Sequence, residues 1–471
     1  MGAPADLPRE ETRSGCLVWH KWCRVAGYVG RAFTGWNPSS GKIEAAAGTA
    51  YARDPDRSPA IHSRVGRSST GQARKEGVMS RGSAENQAAF EEAQLLADAQ
   101  SNSGLSDFGP DEFRPALGAL LASLREEAPL NDLGRTIMRA RVLESLETRL
   151  RIQDEISRHP EILEEEIVAP LVVIGQMRTG TTMLQRIIAS DPRNHACMWW
   201  ETRFPAPHSK TDWNVPDPRI PIAEAEVAAI LEADPRQASI HPWDAQAPDE
   251  EIMLLEHTFM SHVPEAFTNI PSYRSWLNEQ DWTPAYEYLR KLLQSLQWQK
   301  RQRGNVRERW VLKTPNHLGY IDTVFKVFPG ACVIQTHRDP VDTVPSAASM
   351  NNAMWSLYSD EDEATAAGQQ WQERLAWGTK RAMASRGTNA AGRFVDIDFR
   401  NAMKDPIAEL ERAYSTFGIE MSDAARAGME QWRADNPRDK RPPHEYTLAQ
   451  YGLTEEGIKE AFKEYRAAFI D

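Results

Sequence analysis

Cysteine is scarce in this sequence. There are four in 471 residues and no CxxC pair, which excludes a disulfide framework and a thiolate zinc site. An excess of positive charge is also lacking. Lys and Arg number 55 against 67 Asp and Glu, a formal charge of −12, so no broad nucleic-acid-binding face is expected. No run of 18 apolar residues occurs, and no transmembrane helix is expected. The first 30 residues carry Asp6, Glu10 and Glu11 and lack the apolar stretch of a secretory signal. With so few thiols, this points to a reducing, cytoplasmic setting. HExxH is absent. His257 and His262 lie near Glu250, Glu251 and Glu256, a pattern read as surface helix charge, and no metal is expected.

What is present has the composition of a soluble globular enzyme, 41% hydrophobic and 26% charged. The length suits two or three small domains, or one large α/β domain with an insertion. Charge is unevenly spread. Residues 1–78 carry 12 Lys and Arg against 7 Asp and Glu, leaving 43 against 60 for the rest. This first segment has no sustained apolar period and reads as a disordered tail or a mis-assigned start, with Met79 the true first residue. Residues 79–166 read as helices packing on the core. The clearest is Asp132 to Arg158, where Leu133, Ile137, Val142, Leu146 and Leu150 recur at helical spacing. Asn131 or Asp132 can cap it, and His159-Pro160 ends it.

From residue 167 to 471 the pattern changes. The run IVAPLVVIG (167–175) is short, apolar and β-branched, the signature of a buried parallel strand. Further strands are expected at RWVLK (309–313), ACVIQTH (331–337) and RFVDIDF (393–399), each followed by a helical stretch. Such alternation implies an α/β fold with a central parallel sheet. A helical lid insertion is expected at about 204–308, where Trp-bearing helical pieces and Pro-rich loops mix.

The first strand runs into GQMRTGTT (175–182), which has the outline of a Walker A loop: Gly175, four residues, Gly180, then Thr181 and Thr182. Thr181 stands where the Walker lysine belongs. The loop can hold an anion through backbone N–H groups, the hydroxyls and a helix N-terminus, with Arg178 as its cation, but it suits a magnesium-bound triphosphate poorly. The third strand ends in HRDPVDTVPS (337–346), where Arg338 and Ser346 suit a second, terminal phosphate. Two phosphate sites describe a nucleotide phosphorylated at two places on its ribose.

Three blocks in this order, GQMRTGTTMLQRI (175–187), WVLKTPNHL (310–318) and THRDPVDTVPS (336–346), resemble the sulfotransferases that use 3′-phosphoadenosine 5′-phosphosulfate. The resemblance covers roughly residues 90–465, is closest to the large bacterial-type branch and shares features with tyrosylprotein sulfotransferases. It implies a three-layer sandwich of the P-loop-containing nucleotide-hydrolase type. It also implies that Arg178, Thr179, Gly180, Thr181 and Thr182 bind the 5′-phosphosulfate of the donor, which is a co-substrate, and that Arg338 and Ser346 bind its 3′-phosphate. Lys313 corresponds to the lysine that stabilises the sulfuryl group in flight. The family loop has Pro before the Arg, where this chain has Met177. The stretch 437–453 resembles the loop that closes over the donor, with Lys440, Arg441, His444 and Tyr446 as candidates.

Two residues are candidates for the base. Glu201 in WWETRFP resembles the catalytic glutamate of tyrosylprotein sulfotransferases and is preferred. His317 lies four residues after Lys313, whereas cytosolic members carry their histidine two residues after the lysine. The expected reaction is transfer of a sulfuryl group to the hydroxyl of a small apolar or aromatic molecule. The alternatives are a P-loop nucleotide kinase, which should carry Lys at 181 and a magnesium-binding acid, and an inactive sulfotransferase fold used for binding. The acceptor and the oligomeric state stay open.

Overall fold

A computed structural model describes residues 83–233, 235, 237–388, 392–437 and 446–471, together with a short antiparallel pairing of Trp36–Asn37 with Lys42–Ile43. The remainder of the suspected N-terminal tail, and Lys440, Arg441 and His444, lie outside the described residues.

The apolar run at 167–175 becomes a strand only from its middle. Pro170 has no N–H for a ladder and Ala169 turns back with φ 37°, so strand β1 is Leu171–Gly175. It is flanked on both sides by parallel partners. The sheet comprises β1, β2 (Asn194–His195), β3 (Arg309–Lys313), β4 (Cys332–His337) and β5 (Phe394–Asp398), in the order β2-β3-β1-β4-β5. All four pairings are parallel. The two-residue β2 has no periodicity of its own and is invisible in the sequence.

Alternate residues of β1 face different layers, as strand geometry requires. Val172 and Ile174 join a core with helices α1 (Asp132–Arg158) and, from the insertion, Thr283–Gln302. Leu171 and Val173 join a second core with Leu184, Ile187 and Ile188 of α2 (Thr181–Ala189). The result is a three-layer α/β sandwich. The long helix Thr283–Gln302 buries Leu289, Leu292, Leu293 and Leu296 against the sheet side, so the last part of the expected lid is a structural layer. Asn131 caps α1 by accepting from the Gly134 N–H at 2.8 Å. Among the described residues, no helix is long and apolar enough to cross a membrane.

Because the chain leaves β1 first to one side and then to the other, the carboxyl ends of β3, β1 and β4 open onto a crevice at the switch point. The register aligns Val173 with Lys313 and Gly175 with Thr336. At Gly175 a Cβ would lie 2.2 Å from Thr336 Oγ1 and 2.8 Å from Thr179 Oγ1. Gly175→Ala should therefore lower stability by about 1–3 kcal/mol, read as a fall in the urea midpoint. An unchanged midpoint would show that this close approach is not needed.

Candidate active site

The loop after β1 folds back on its own strand and on β4. Thr179 Oγ1 donates to the Gln176 carbonyl at 2.6 Å and lies 2.7 Å from Thr336 Oγ1. Gln176 in turn accepts from the Thr343 hydroxyl. Arg178 and Gly180 take left-handed backbone angles, φ 69° and 86°, and Gly180 ends the turn where α2 begins. Gly180, Thr181 and Thr182 thus stand at the α2 N-terminus, beside Arg178, on the wall of a cavity of about 1400 Å³. The Thr179 hydroxyl does not: it is fully buried and spent on holding the loop shut.

The cation missing from position 181 arrives from the neighbouring strand. Lys313 closes β3 with its side chain wholly buried, and Nζ lies 3.2 Å from Thr182 Oγ1 and 2.6 Å from Glu250 Oε1. Arg338, just past β4, lines the same cavity. It donates to the Arg178 carbonyl at 3.0 Å and lies 4.4 Å above the Phe399 ring. Loop, Lys313 and Arg338 are therefore brought together at one sheet edge. Ser346 is buried further along helix α3 (Pro340–Tyr358) and is not on the cavity wall.

Neither residue named as the base reaches the cavity. Glu201 is buried; one carboxylate oxygen pairs with Lys300 and the other accepts from the Met198 N–H at 2.9 Å, capping the short helix Trp199–Arg203. His317 is fully buried, with Nε2 2.6 Å from Glu251 Oε1 and Nδ1 2.7 Å from the Tyr286 hydroxyl. The second oxygen of Glu251 accepts from the Lys313 backbone N–H at 2.9 Å. His317 and Glu251 thus brace the end of β3 from behind.

Residues 241–250, which the sequence had not singled out as catalytic, bring His241, Asp249 and Glu250 to the cavity wall. Glu250 pairs with Lys313, and His241 Nε2 lies 2.7 Å from Asp249 Oδ2. The segment is pinned to α2: Gln185 donates to the Asp249 carbonyl at 2.9 Å and Arg186 to the Pro248 carbonyl at 3.1 Å. Burial alone would raise the Asp249 carboxyl. The charge and hydrogen bond of His241, with Lys313 and Arg186, outweigh burial and hold it well below the usual range. The acidic cluster expected to be surface charge is largely interior. Glu251 and Glu256 are buried, and burial drives His257 down to about 3. The only outward hint was PDEE (248–251), three acids after a proline.

Away from the loop the cavity is mostly apolar, walled by residues such as Trp243, Met253, Phe267, Met354 and Trp377. One face of α1 joins this wall, from Leu133 and Ile137 to Arg151, so the N-terminal helices contribute to the site rather than only packing on the core. A buried ionic group completes the wall. Arg203 lies 2.8 Å from Glu144 and 3.1 Å from Glu226. Burial, opposed by Arg203 and reinforced by Glu144, raises the Glu226 carboxyl.

A family model described as "Sulfotransferase family" matches residues 170–423, more than half of the chain. The omega-hydroxy-beta-dihydromenaquinone-9 sulfotransferase Stf3 of Mycobacterium bovis is 23% identical over 318 residues, covering 64% of this chain and 76% of that protein. The crystal structure of sulfotransferase STF1 from Mycobacterium tuberculosis aligns with a TM-score of 0.70 at 31% identity, covering 79% of this chain and 98% of that one. Sulfotransferase STF9 from Mycobacterium avium aligns at 0.72 with 28% identity, covering 81% and 97%.

Proposed function

Since this chain belongs to the sulfotransferase family, and so is an enzyme that transfers sulfuryl groups, we propose where its donor and acceptor bind and which groups carry the transfer. The donor is 3′-phosphoadenosine 5′-phosphosulfate, the usual sulfate donor of the family. Its 5′-phosphosulfate is held by Arg178, Gly180, Thr181 and Thr182 with the α2 N-terminus, where backbone N–H groups and dipole favour an anion. Its 3′-phosphate is held by Arg338. The observation that carries this reading is Lys313 Nζ, 3.2 Å from Thr182 Oγ1: a buried cation on the loop, with the apolar cavity opening beside it.

The acceptor hydroxyl oxygen attacks sulfur as the bond from sulfur to the 5′-phosphate oxygen breaks. Adenosine 3′,5′-bisphosphate leaves, and the hydroxyl proton passes to a base. Such a transition state is loose, so positioning and charge stabilisation do most of the work. Lys313, Arg178 and the loop N–H groups meet the charge that gathers on the sulfuryl and leaving oxygens. The acceptor is a small molecule with an apolar or aromatic body, supported by the Trp- and Met-rich wall and by the lipid named for the M. bovis relative. A reducing, cytoplasmic setting belongs to the same proposal and agrees with the free thiols Cys197 and Cys332.

The test incubates the full chain with the donor and a panel of phenols, fatty alcohols and hydroxylated isoprenoid quinones. Acceptor-dependent release of adenosine 3′,5′-bisphosphate with a sulfated product by mass spectrometry is expected. Binding of the donor with no sulfated product from any of them would point to a binding module, and γ-phosphate transfer from ATP would point to a kinase.

A further inference from the structure

We propose that His241, held by Asp249, is the group that removes the acceptor's proton. The inference rests on the sulfuryl-transfer site proposed above. With both earlier candidates turned into the interior, three proton acceptors of one segment line the cavity where Glu250 meets Lys313, namely His241, Asp249 and Glu250. Glu250 is engaged with the Lys313 ammonium at 2.6 Å, so it serves as the lysine's counter-ion. His241 is differently placed. It is partly exposed on the cavity wall, its side chain 22% accessible, while Asp249 behind it is 6% accessible. Nε2–H donates to Asp249 Oδ2 at 2.7 Å, which leaves Nδ1 as the ring atom with the lone pair. The ring packs edge-on against Trp243, with centroids 4.9 Å apart, and this limits its rotation.

Asp249 is itself fixed. Oδ1 accepts from the Glu250 N–H at 2.7 Å, the backbone N–H donates to the Cys197 carbonyl at 2.9 Å, and Gln185 holds its carbonyl. An ionised carboxylate behind one imidazole nitrogen sets the tautomer and stabilises the imidazolium that forms on proton uptake. Asp249 is therefore a positioning residue and His241 the catalytic one. Lys313 acts on Asp249 strongly enough to help hold its carboxyl low, which puts the pair within electrostatic reach of the lysine. The proton goes from the acceptor O–H to Nδ1 as the new O–S bond forms, and then to solvent after product leaves. Asp249 pairs with the ring, Arg186 from α2 and Lys313 from β3 act on Asp249, and Glu250, Arg178 and Glu226 are further charged groups of the same cavity.

The experiment uses the full chain, the donor and the best acceptor from the panel above. His241→Gln should lower kcat on the order of 10²–10⁴-fold, with the affinity for adenosine 3′,5′-bisphosphate by calorimetry within about 3-fold of wild type and an unchanged thermal midpoint. Asp249→Asn should also lower kcat. By removing the charge that favours the imidazolium, it should move the acidic limb of the kcat–pH profile to lower pH, a shift that a purely structural defect would not produce. If His241→Gln keeps more than half of kcat while Glu250→Gln loses it, or if the acidic limb stays put in Asp249→Asn, the assignment is overturned. A wild-type protein that releases no bisphosphate with any acceptor overturns the underlying reading together with this one.

Discussion

Lys313→Met is expected to lower kcat on the order of 10²–10³-fold, the usual loss when one preorganised donor to a developing anion is removed. Binding of adenosine 3′,5′-bisphosphate should change far less, because Arg178, Arg338 and the α2 N-terminus remain. Methionine fits the wholly buried lysine stem, and the partner left behind, Glu250, is 23% exposed and can be hydrated. Stability should therefore fall only modestly. Single-turnover rates at saturating donor, set beside calorimetric affinities, separate the two effects. Equal losses in affinity and rate would mean that Lys313 holds the donor without favouring the transition state.

Arg203→Leu carries the largest expected effect on folding. The guanidinium lies fully within the cavity wall. Burial lowers its affinity for a proton, but Glu144 and Glu226 at 2.8 and 3.1 Å more than reverse this and keep it charged. Removing it leaves two carboxylates facing each other in the interior, a defect worth about 3–5 kcal/mol. The sign of its pH dependence follows from Glu226. Burial raises this carboxyl in the folded state above its ordinary value of 4.5, so the folded form binds the proton more tightly. The contribution of this group to stability is then fully present below about pH 4.5 and is lost as pH rises through the folded-state value. Without Arg203 that loss should deepen. The deficit of Arg203→Leu in chemical denaturation should be greatest at neutral pH and shrink on acidification, and Glu144→Gln with Glu226→Gln should restore part of it. A deficit independent of pH would assign the loss to packing.

The parts of this protein that could be read from its sequence are those whose cause is local. Leu171–Gly175 is a strand because five consecutive apolar residues need burial on both faces, and GQMRTGTT closes a loop because glycines sit where a close approach and a left-handed angle require them. Lys313 and Arg338 could be placed at the carboxyl ends of strands because apolar runs stop at them. What could not be read is set by residues distant in sequence. Glu201 looked like a base beside two tryptophans, yet Lys300, 99 positions away, occupies it. His317 was the second candidate for the base, yet Glu251 and Tyr286 hold both its nitrogens. Residues 241–250 carry no periodicity, and the grip of Gln185, Arg186 and the backbone of 197–200 brings them to Lys313. The face of α1 on the cavity was hidden for a different reason: Leu133 and Ile137 have the spacing of core residues, and a helix stripe looks the same whether it meets protein or substrate.

The pairing of Val173 with Lys313 has a consequence for how activity reports on the molecule. Here the anion loop and its cation ride on separate strands, β1 and β3, and the ladder between them sets whether Lys313 reaches Thr182. A slip of one residue would turn Lys313 to the opposite face of the sheet, away from Thr182. A molecule zipped one rung out of step would keep much of its hydrogen bonding yet be silent in an assay. Specific activity thus counts correctly assembled sheets, and in refolding it should recover with the formation of the β1–β3 pair rather than with the return of helical signal.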